Sequence, residues 1–257
     1  MRSDELNRQT WERRSVVQEY AGRDAVWAVE TAILETYRAQ IAGRRILDVG
    51  CGAGRTTAAL LAYSRQYVGL DYSDGMIRQF KRKFPGVAIV QGDMRRMTEV
   101  GERAFDFVLC SFNTLDYVSH EDRLATLREI RRVLAEGGLF VFSSHNLAFR
   151  DARAEPRLEW TGNPVRLARN MGTFAAESWN HARNRQAQVE GDGYAILNDC
   201  GHGYRLLTYY IEKSRQAAQL AAAGFTLLER FDKTGKMLGP RDDDSHSSFI
   251  YYVARKT

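Results

Sequence analysis

The chain has 257 residues, 44% of them hydrophobic and 27% charged, with only 4 prolines. That balance belongs to a folded globular protein of one large domain, or one domain with a sizeable insertion, and excludes a disordered or collagen-like chain. Lys and Arg outnumber Asp and Glu by 37 to 32, a net charge of +5 that a solvated arginine-rich surface explains without a polyanionic partner.

Residues 1–43 read as a helical arm, because Val26, Val29, Ile33 and Tyr37 recur at three- and four-residue steps with charged residues elsewhere on the wheel. Residues 1–14 carry no apolar stretch of the kind a secretory signal needs, so no signal peptide and a cytoplasmic location are expected. No apolar run approaches the ~18 residues of a membrane span. A strand–helix alternation follows: strands at 46–49, 67–70, 87–90, 105–110 and 139–142, with helix-compatible stretches at 56–64 and 73–84. Before the last of these strands, Ser119 and Asp122 form a helix start, Leu124, Leu127, Ile130 and Leu134 its apolar stripe, and Gly137 and Gly138 its stop. Five apolar strands alternating with helices predict a doubly wound parallel α/β sheet covered on both faces.

After Asn146 the rhythm breaks. Residues 147–208 hold six aromatics (Phe149, Trp160, Phe174, Trp179, Tyr194, Tyr204) and no regular period. A helix is expected over 211–223, then two strands at 225–231 and 249–254, which must pair antiparallel because no helix separates them. Cys51, Cys110 and Cys200 are an odd set without C-x-x-C spacing, so neither a disulfide framework nor a zinc knuckle is expected.

The sharpest local signal is Asp48-Val-Gly50-Cys-Gly52-Ala-Gly54, between the first strand and a helix. Such a match arises by chance in a chain this long roughly once in a hundred, taking Gly at about 7%. Without Cβ atoms the backbone turns tightly and approaches a ligand, and the helix behind offers free N–H groups. A dinucleotide fingerprint would need a third glycine at position 55, where Arg55 stands, so a pyrophosphate cradle is not expected. Asp71 closes the second strand, where a carboxylate can accept both ribose hydroxyls of an adenosine. Asp93, in Gly92-Asp93-Met94, can accept from an adenine amino group. Each aspartate alone reads equally as a cap or turn residue. Three at the carboxyl ends of successive parallel strands point to a ligand, because open α/β sheets bind there.

Residues 46–57 (ILDVGCGAGRTT), 68–77 (VGLDYSDGMI), 91–94 (QGDM), 105–117 (FDFVLCSFNTLDY) and 132–143 (RVLAEGGLFVFS) resemble the successive motifs of class I S-adenosylmethionine-dependent methyltransferases. The resemblance implies a Rossmann-like seven-stranded sheet of order 3-2-1-4-5-7-6 with strand 7 antiparallel. It divides the chain into the arm (1–43), a cofactor-binding core (44–146), an inserted substrate cap (147–208) and a closing helix and hairpin (209–257). It also implies S-adenosylmethionine as cofactor, with S-adenosylhomocysteine as product. Gly50 and Gly52 would lie along the methionine part, Asp71 would hold the ribose, and Tyr72 and Met76 would flank the adenine. Asp93 would take the adenine amino group, the Met94 N–H a ring nitrogen, and Ser111 the amino-acid end. Asp48 would sit beneath the loop, and Tyr20 would close over the cofactor from the arm.

For the acceptor, an amine need only be unprotonated, whereas a hydroxyl usually needs a general base. His145, after the fifth strand, is the expected base. Asn146, His202, Tyr209 and Tyr210 are the expected substrate contacts, each open to a purely structural reading. No histidine pair has metal-ligand spacing, and no metal is expected. The cap holds 8 Arg against 7 acidic residues and no Lys, without the basic stripe of a nucleic-acid surface, so a small-molecule acceptor on oxygen or nitrogen is expected. An isoelectric point near 9.1 keeps RNA or protein methylation as the alternative, beside a non-catalytic cofactor-binding regulator. No membrane or nucleic-acid partner is expected, and the chain would be a monomer or homodimer.

Overall fold

The computed structural model describes residues 3–257. Strands β1 (Ile46–Val49), β2 (Tyr67–Asp71), β3 (Ile89–Gln91), β4 (Phe105–Cys110) and β5 (Leu134–Asn146) form where the apolar runs stand, all parallel, in the order 3-2-1-4-5. Two strands follow late in the chain, β9 (Phe225–Asp232) and β10 (Phe249–Lys256). β10 inserts antiparallel between β5 and β9, which gives the expected seven-strand order with its one reversed strand.

Alternate residues of the central strands point to opposite faces. Leu47, Val108, Phe140 and Phe142 join one buried cluster, while Ile46, Phe107, Leu109 and Val141 join another. Helices α7 (His120–Val133) and α9 (Lys213–Ala222) cover the first face, contributing Leu127, Ile130 and Leu220. The second is covered by α3 (Ala28–Thr36), α4 (Arg38–Ile41), α5 (Thr57–Tyr63) and α6 (Asp74–Lys83), through Val29, Ile41, Leu60 and Phe80. Ser119 Oγ accepts the Asp122 amide at 3.1 Å, the cap the sequence announces, and Ser73 Oγ accepts that of Met76 at 3.4 Å, a cap only the structure shows. α7 stops at Val133, ahead of Gly137 and Gly138. These glycines lie instead in the irregular start of β5, where Phe105 pairs with Leu134 but Phe107 with Leu139.

Among the described residues the sheet continues past these seven strands to ten. β5 runs 13 residues and outlasts β4, whose last pair is Cys110 with Phe142. Beyond that point β8 (Thr208–Ile211) pairs parallel with His145 and Asn146, and β7 (Tyr194–Leu197) and β6 (Val189–Gly191) add antiparallel. The inserted segment therefore widens the sheet and carries one long helix, α8 (Pro164–Asn184). Among the described residues, no helix is long and apolar enough to cross a membrane. Two arm helices, α1 (Ser3–Trp11) and α2 (Arg14–Ala21), lie over the carboxyl ends of the strands.

Candidate functional site

A cavity of about 330 Å³ opens at the carboxyl ends of β1, β2, β3 and β4, in the range of small-molecule sites. The glycine loop forms its floor, and close packing dictates the loop's composition. Gly50 has φ +67°, and a Cβ there would stand 2.3 Å from Thr114 Cγ2, so both sterics and backbone demand glycine. Gly52, at φ +55°, donates its amide to Asp71 Oδ2 at 2.9 Å, and the Ser73 amide reaches Oδ1 at 2.8 Å. Each oxygen keeps a second lone pair, a geometry suited to two further hydroxyl donors. Burial pushes the Asp71 carboxyl up, against the amides of Ser73, Gly52 and Tyr72 that hold it down.

Tyr20, Tyr72, Met76, Asp93 and Met94 line the cavity, together with Gly50, Gly52 and Asp71. Asp93 is gripped by Arg95, whose guanidinium lies 2.7 Å from Oδ2 and whose amide lies 2.9 Å from Oδ1. Partial burial works against the Asp93 charge, but Arg95 outweighs it and holds the carboxyl below its usual range. Burial raises the Tyr20 phenol to about 12 despite the neighbouring Arg23.

Seven expected site residues lie outside the cavity lining. Asp48 sits beneath the loop, accepting from the hydroxyls of Thr56 (2.6 Å) and Tyr67 (3.0 Å). Ser111 lies behind the wall, in a buried cluster with Glu30, Arg55 and Tyr251. His145 has both ring nitrogens engaged: Nδ1 is 2.7 Å from Asp116 Oδ2 and Nε2 is 3.2 Å from Asn113 Nδ2. A base needs a free lone pair facing the substrate, and in this arrangement both ring nitrogens of His145 face protein groups. Asn146 is wholly buried, its amide donating to the carbonyls of Asp244 (2.8 Å) and Ser247 (3.1 Å), so it ties β5 to a loop and presents nothing to a substrate. Tyr209 points into the protein, its hydroxyl 2.8 Å from His120 Nδ1 and its ring 4.5 Å from the Arg123 guanidinium carbon. Tyr210 packs on His145 and donates to Asp199 at 2.9 Å. His202 lies nearest, Nε2 3.5 Å from the Tyr20 hydroxyl and its ring 5.3 Å from that of Trp11.

Trp11, Phe112 and Tyr117, which the sequence reading missed, complete the wall with Tyr20. Trp11 is 5.1 Å from Tyr20 and 4.9 Å from Tyr117, and Tyr20 is 5.7 Å from Phe112, all edge-on. Phe112 and Asn113 both have φ +57°, a strained pair at the end of β4 that turns Phe112 into the cavity. Arg55, where a dinucleotide site would have glycine, is 11% exposed and ion-pairs with Glu30 of α3, with one guanidinium nitrogen 2.7 Å from Oε2. Its guanidinium carbon also lies 4.8 Å from the Phe112 ring centre, which ties the arm, the glycine loop and the aromatic wall together.

A methyltransferase-domain family model matches residues 46–138. A demethylmenaquinone methyltransferase of Clavibacter sepedonicus is 36% identical over 216 residues, covering 83% of this chain and 77% of the relative. The chain belongs to the class I S-adenosylmethionine-dependent methyltransferases. A dTDP-4-amino-2,3,4,6-tetradeoxy-D-glucose N,N-dimethyltransferase of Saccharopolyspora spinosa is 34% identical over 123 residues, 47% of this methyltransferase and 48% of that one. The solved 1,6-didemethyltoxoflavin-N1-methyltransferase of Burkholderia thailandensis, with its substrate and S-adenosylhomocysteine bound, shares the fold. It has a TM-score of 0.60 at 16% identity and covers 99% of this chain and 88% of that one. The methyltransferase uses S-adenosylmethionine, and the cavity suits it: a glycine floor that Cβ atoms would fill, a buried carboxylate with lone pairs to spare, and flanking apolar side chains.

The buried Asp48 makes the stability of this methyltransferase depend on pH. Burial pushes its carboxyl from 3.8 up to about 6, against the hydroxyls of Thr56 and Tyr67. A raised carboxyl favours the protonated form in the fold, so its stabilisation is complete below the unfolded value and lost as pH rises through about 6. Two units amount to about 3 kcal/mol. Urea unfolding at acid and neutral pH should show Asp48→Asn gaining on the wild type by that order as pH rises. A difference that stays constant with pH would remove Asp48 as the cause.

Proposed function

We propose that this methyltransferase methylates a nitrogen of a small, largely apolar molecule. The observation that carries the reading is the end of the cavity away from Asp71. It is walled by Trp11, Tyr20, Phe112 and Tyr117, and no histidine is among the described lining residues. Burial holds both phenols un-ionised at neutral pH, Tyr20 at about 12 and Tyr117 well above its ordinary value. They can donate hydrogen bonds to an acceptor but cannot take its proton. A neutral amine brings its own lone pair and needs no base in the transfer step.

In this reading Asp71 accepts the ribose hydroxyls, and Tyr72 and Met76 flank the adenine, with Asp93 and the Met94 amide at its polar edge. Gly50 and Gly52 run along the methionine chain, and Tyr20 closes over it. The bound cofactor supplies an electrophilic methyl group on a sulfonium. The aromatic wall holds the acceptor in line and keeps water out. The names of the Saccharopolyspora and Burkholderia relatives, both nitrogen methyltransferases, support the nitrogen assignment.

Transfer of labelled methyl from S-adenosylmethionine into a metabolite extract tests the reading. Label is expected in an N-methylated small molecule, and label confined to RNA or protein would overturn it. With the acceptor in hand, His145→Ala should raise KM and change kcat only a few-fold, with the pH profile set by the amine. A fall in kcat of ~10²-fold with loss of the acid limb would instead make His145 a base and the acceptor a hydroxyl.

A further inference from the structure

His202 stands between Gly201 and Gly203 in a turn where three successive residues are left-handed, with φ +49° at His202, +67° at Gly203 and +61° at Tyr204. That backbone is costly for histidine and tyrosine and persists only where the surroundings over-determine it. Here they do. Asn180 of α8 donates to the Gly203 carbonyl at 2.8 Å, and Asn184 and Asn198 donate to the Tyr204 carbonyl at 2.9 and 3.0 Å. The Tyr204 hydroxyl in turn donates to the Ala154 carbonyl at 3.1 Å. What the turn delivers is the His202 ring, set against Trp11 and Tyr20 of the cavity wall.

There the ring bridges two side chains of α2. Nε2 is 3.5 Å from the Tyr20 hydroxyl, and Nδ1 is 3.9 Å from Oε2 of Glu19, whose Oε1 holds Arg23 at 2.5 Å. Asp199 and Arg205, on the turn's own flanks, also act on the ring. Burial pushes the imidazole down, helped by Arg23 and Arg205 and opposed by Glu19 and Asp199, so the ring is neutral at neutral pH. A neutral imidazole has one N–H and one lone pair. The Glu19 carboxylate draws the N–H to Nδ1, which leaves the Nε2 lone pair facing Tyr20. Tyr20 has one hydrogen to donate, and donating it to Nε2 leaves its oxygen lone pairs for the cavity it lines.

We infer that His202 is a positioning residue for the methyl acceptor: it receives the Tyr20 O–H, so that the phenol oxygen faces the cavity as a hydrogen-bond acceptor and selects a primary or secondary amine. This rests on the nitrogen-methyltransferase reading and narrows it. An amine with an N–H donates to Tyr20 and is held by that bond with its lone pair free for the methyl group. A tertiary amine has no hydrogen to give and leaves the Tyr20 oxygen without a partner, which costs it affinity. Acid reverses the arrangement. An imidazolium carries N–H on both nitrogens, so Nε2 then donates to Tyr20 and turns the phenol hydrogen toward the amine's own.

The tautomer is tested without any acceptor. Long-range ¹H–¹⁵N spectra of the full chain saturated with S-adenosylhomocysteine at mildly alkaline pH should show His202 protonated at Nδ1 and bare at Nε2, its signals identified by their loss in His202→Gln. A proton on Nε2 would overturn the assignment while leaving nitrogen methylation standing. Labelled-methyl transfer into a serially diluted metabolite extract supplies the second test. His202→Phe keeps a ring against Trp11 but loses both nitrogens, and should raise the half-saturating amount of extract about three- to tenfold, the worth of one hydrogen bond. His202→Gln, whose carbonyl can still accept from Tyr20, should stay close to the wild type. The ratio of wild-type to His202→Gln half-saturating amounts should rise as pH falls from about 8 to about 5, across the imidazole range. In a Tyr20→Phe background, His202→Phe should add nothing further. A glutamine variant as impaired as the phenylalanine one, a flat ratio, or label appearing in a quaternary ammonium product would each overturn the inference.

Discussion

Arg123→Met should cost about 3–5 kcal/mol of folding stability, the penalty for leaving a buried charge unpaired. Arg123 and Asp116 are both 0% exposed and lie 2.5 Å apart. The guanidinium also reaches the Leu115 carbonyl (3.1 Å), Ser144 (3.1 Å), Gln216 (2.6 Å) and Gln219 (3.0 Å). Asp116 in turn accepts the Ser144 hydroxyl and the His145 backbone amide, both at 2.7 Å. One ion pair thus joins α7, α9 and the end of β5. At roughly 2–4 °C per kcal/mol for a chain of this size, the melting midpoint should fall by about 6–20 °C. Adding Asp116→Asn should recover part of the loss, because it removes the orphaned charge. A single variant within about 1 kcal/mol of the wild type would show that water relieves the site.

Asp71→Ala should weaken binding of S-adenosylhomocysteine by at least ~10-fold. A hydrogen bond to a charged group is worth about 1.5–3 kcal/mol, and every 1.4 kcal/mol is tenfold. The substitution also frees the amides of Gly52 and Ser73, so some of the loss will come through the glycine loop. Asp71→Asn keeps the shape and separates the effects: it should retain the melting midpoint while still losing affinity. Because burial raises the Asp71 carboxyl, binding should weaken as the solution is acidified and the acceptor becomes a donor. Calorimetric titration of both variants with unchanged affinity would take Asp71 out of the site.

Tyr20 of the arm apart, the expected site residues that reach the cavity share one property: each lies within a few residues of a strand end whose position is legible locally. Gly50, Gly52, Asp71, Tyr72, Asp93 and Met94 follow apolar runs directly, and in a parallel sheet all those ends lie on one edge. Asn146, Tyr209 and Tyr210 also stand at strand ends on that edge, yet their side chains are spent inside the protein. Tyr209 and Tyr210 face opposite sides of β8, and which one faces in depends on a register that a single residue's slip reverses. β6 and β7, at 3 and 4 residues, are too short to show a period, so the widening of the sheet left no trace in the hydrophobic pattern.

The sequence by itself determined the strand–helix alternation, the glycine loop and the acidic positions around it, because strand period, helix caps and glycine's missing Cβ are properties of neighbouring residues. Tertiary structure alone decided which side chains form the acceptor end. Trp11, Tyr20, Phe112 and Tyr117 are distant along the chain, and no short-range pattern announces that they share a wall. Phe112 reaches it through a left-handed backbone that its residue type does not foretell. Arg55 shows the division within one residue. Its place in the loop excluded a pyrophosphate cradle, but its ion pair with Glu30 exists only because the arm folds back onto the sheet, a contact set by packing across the whole chain.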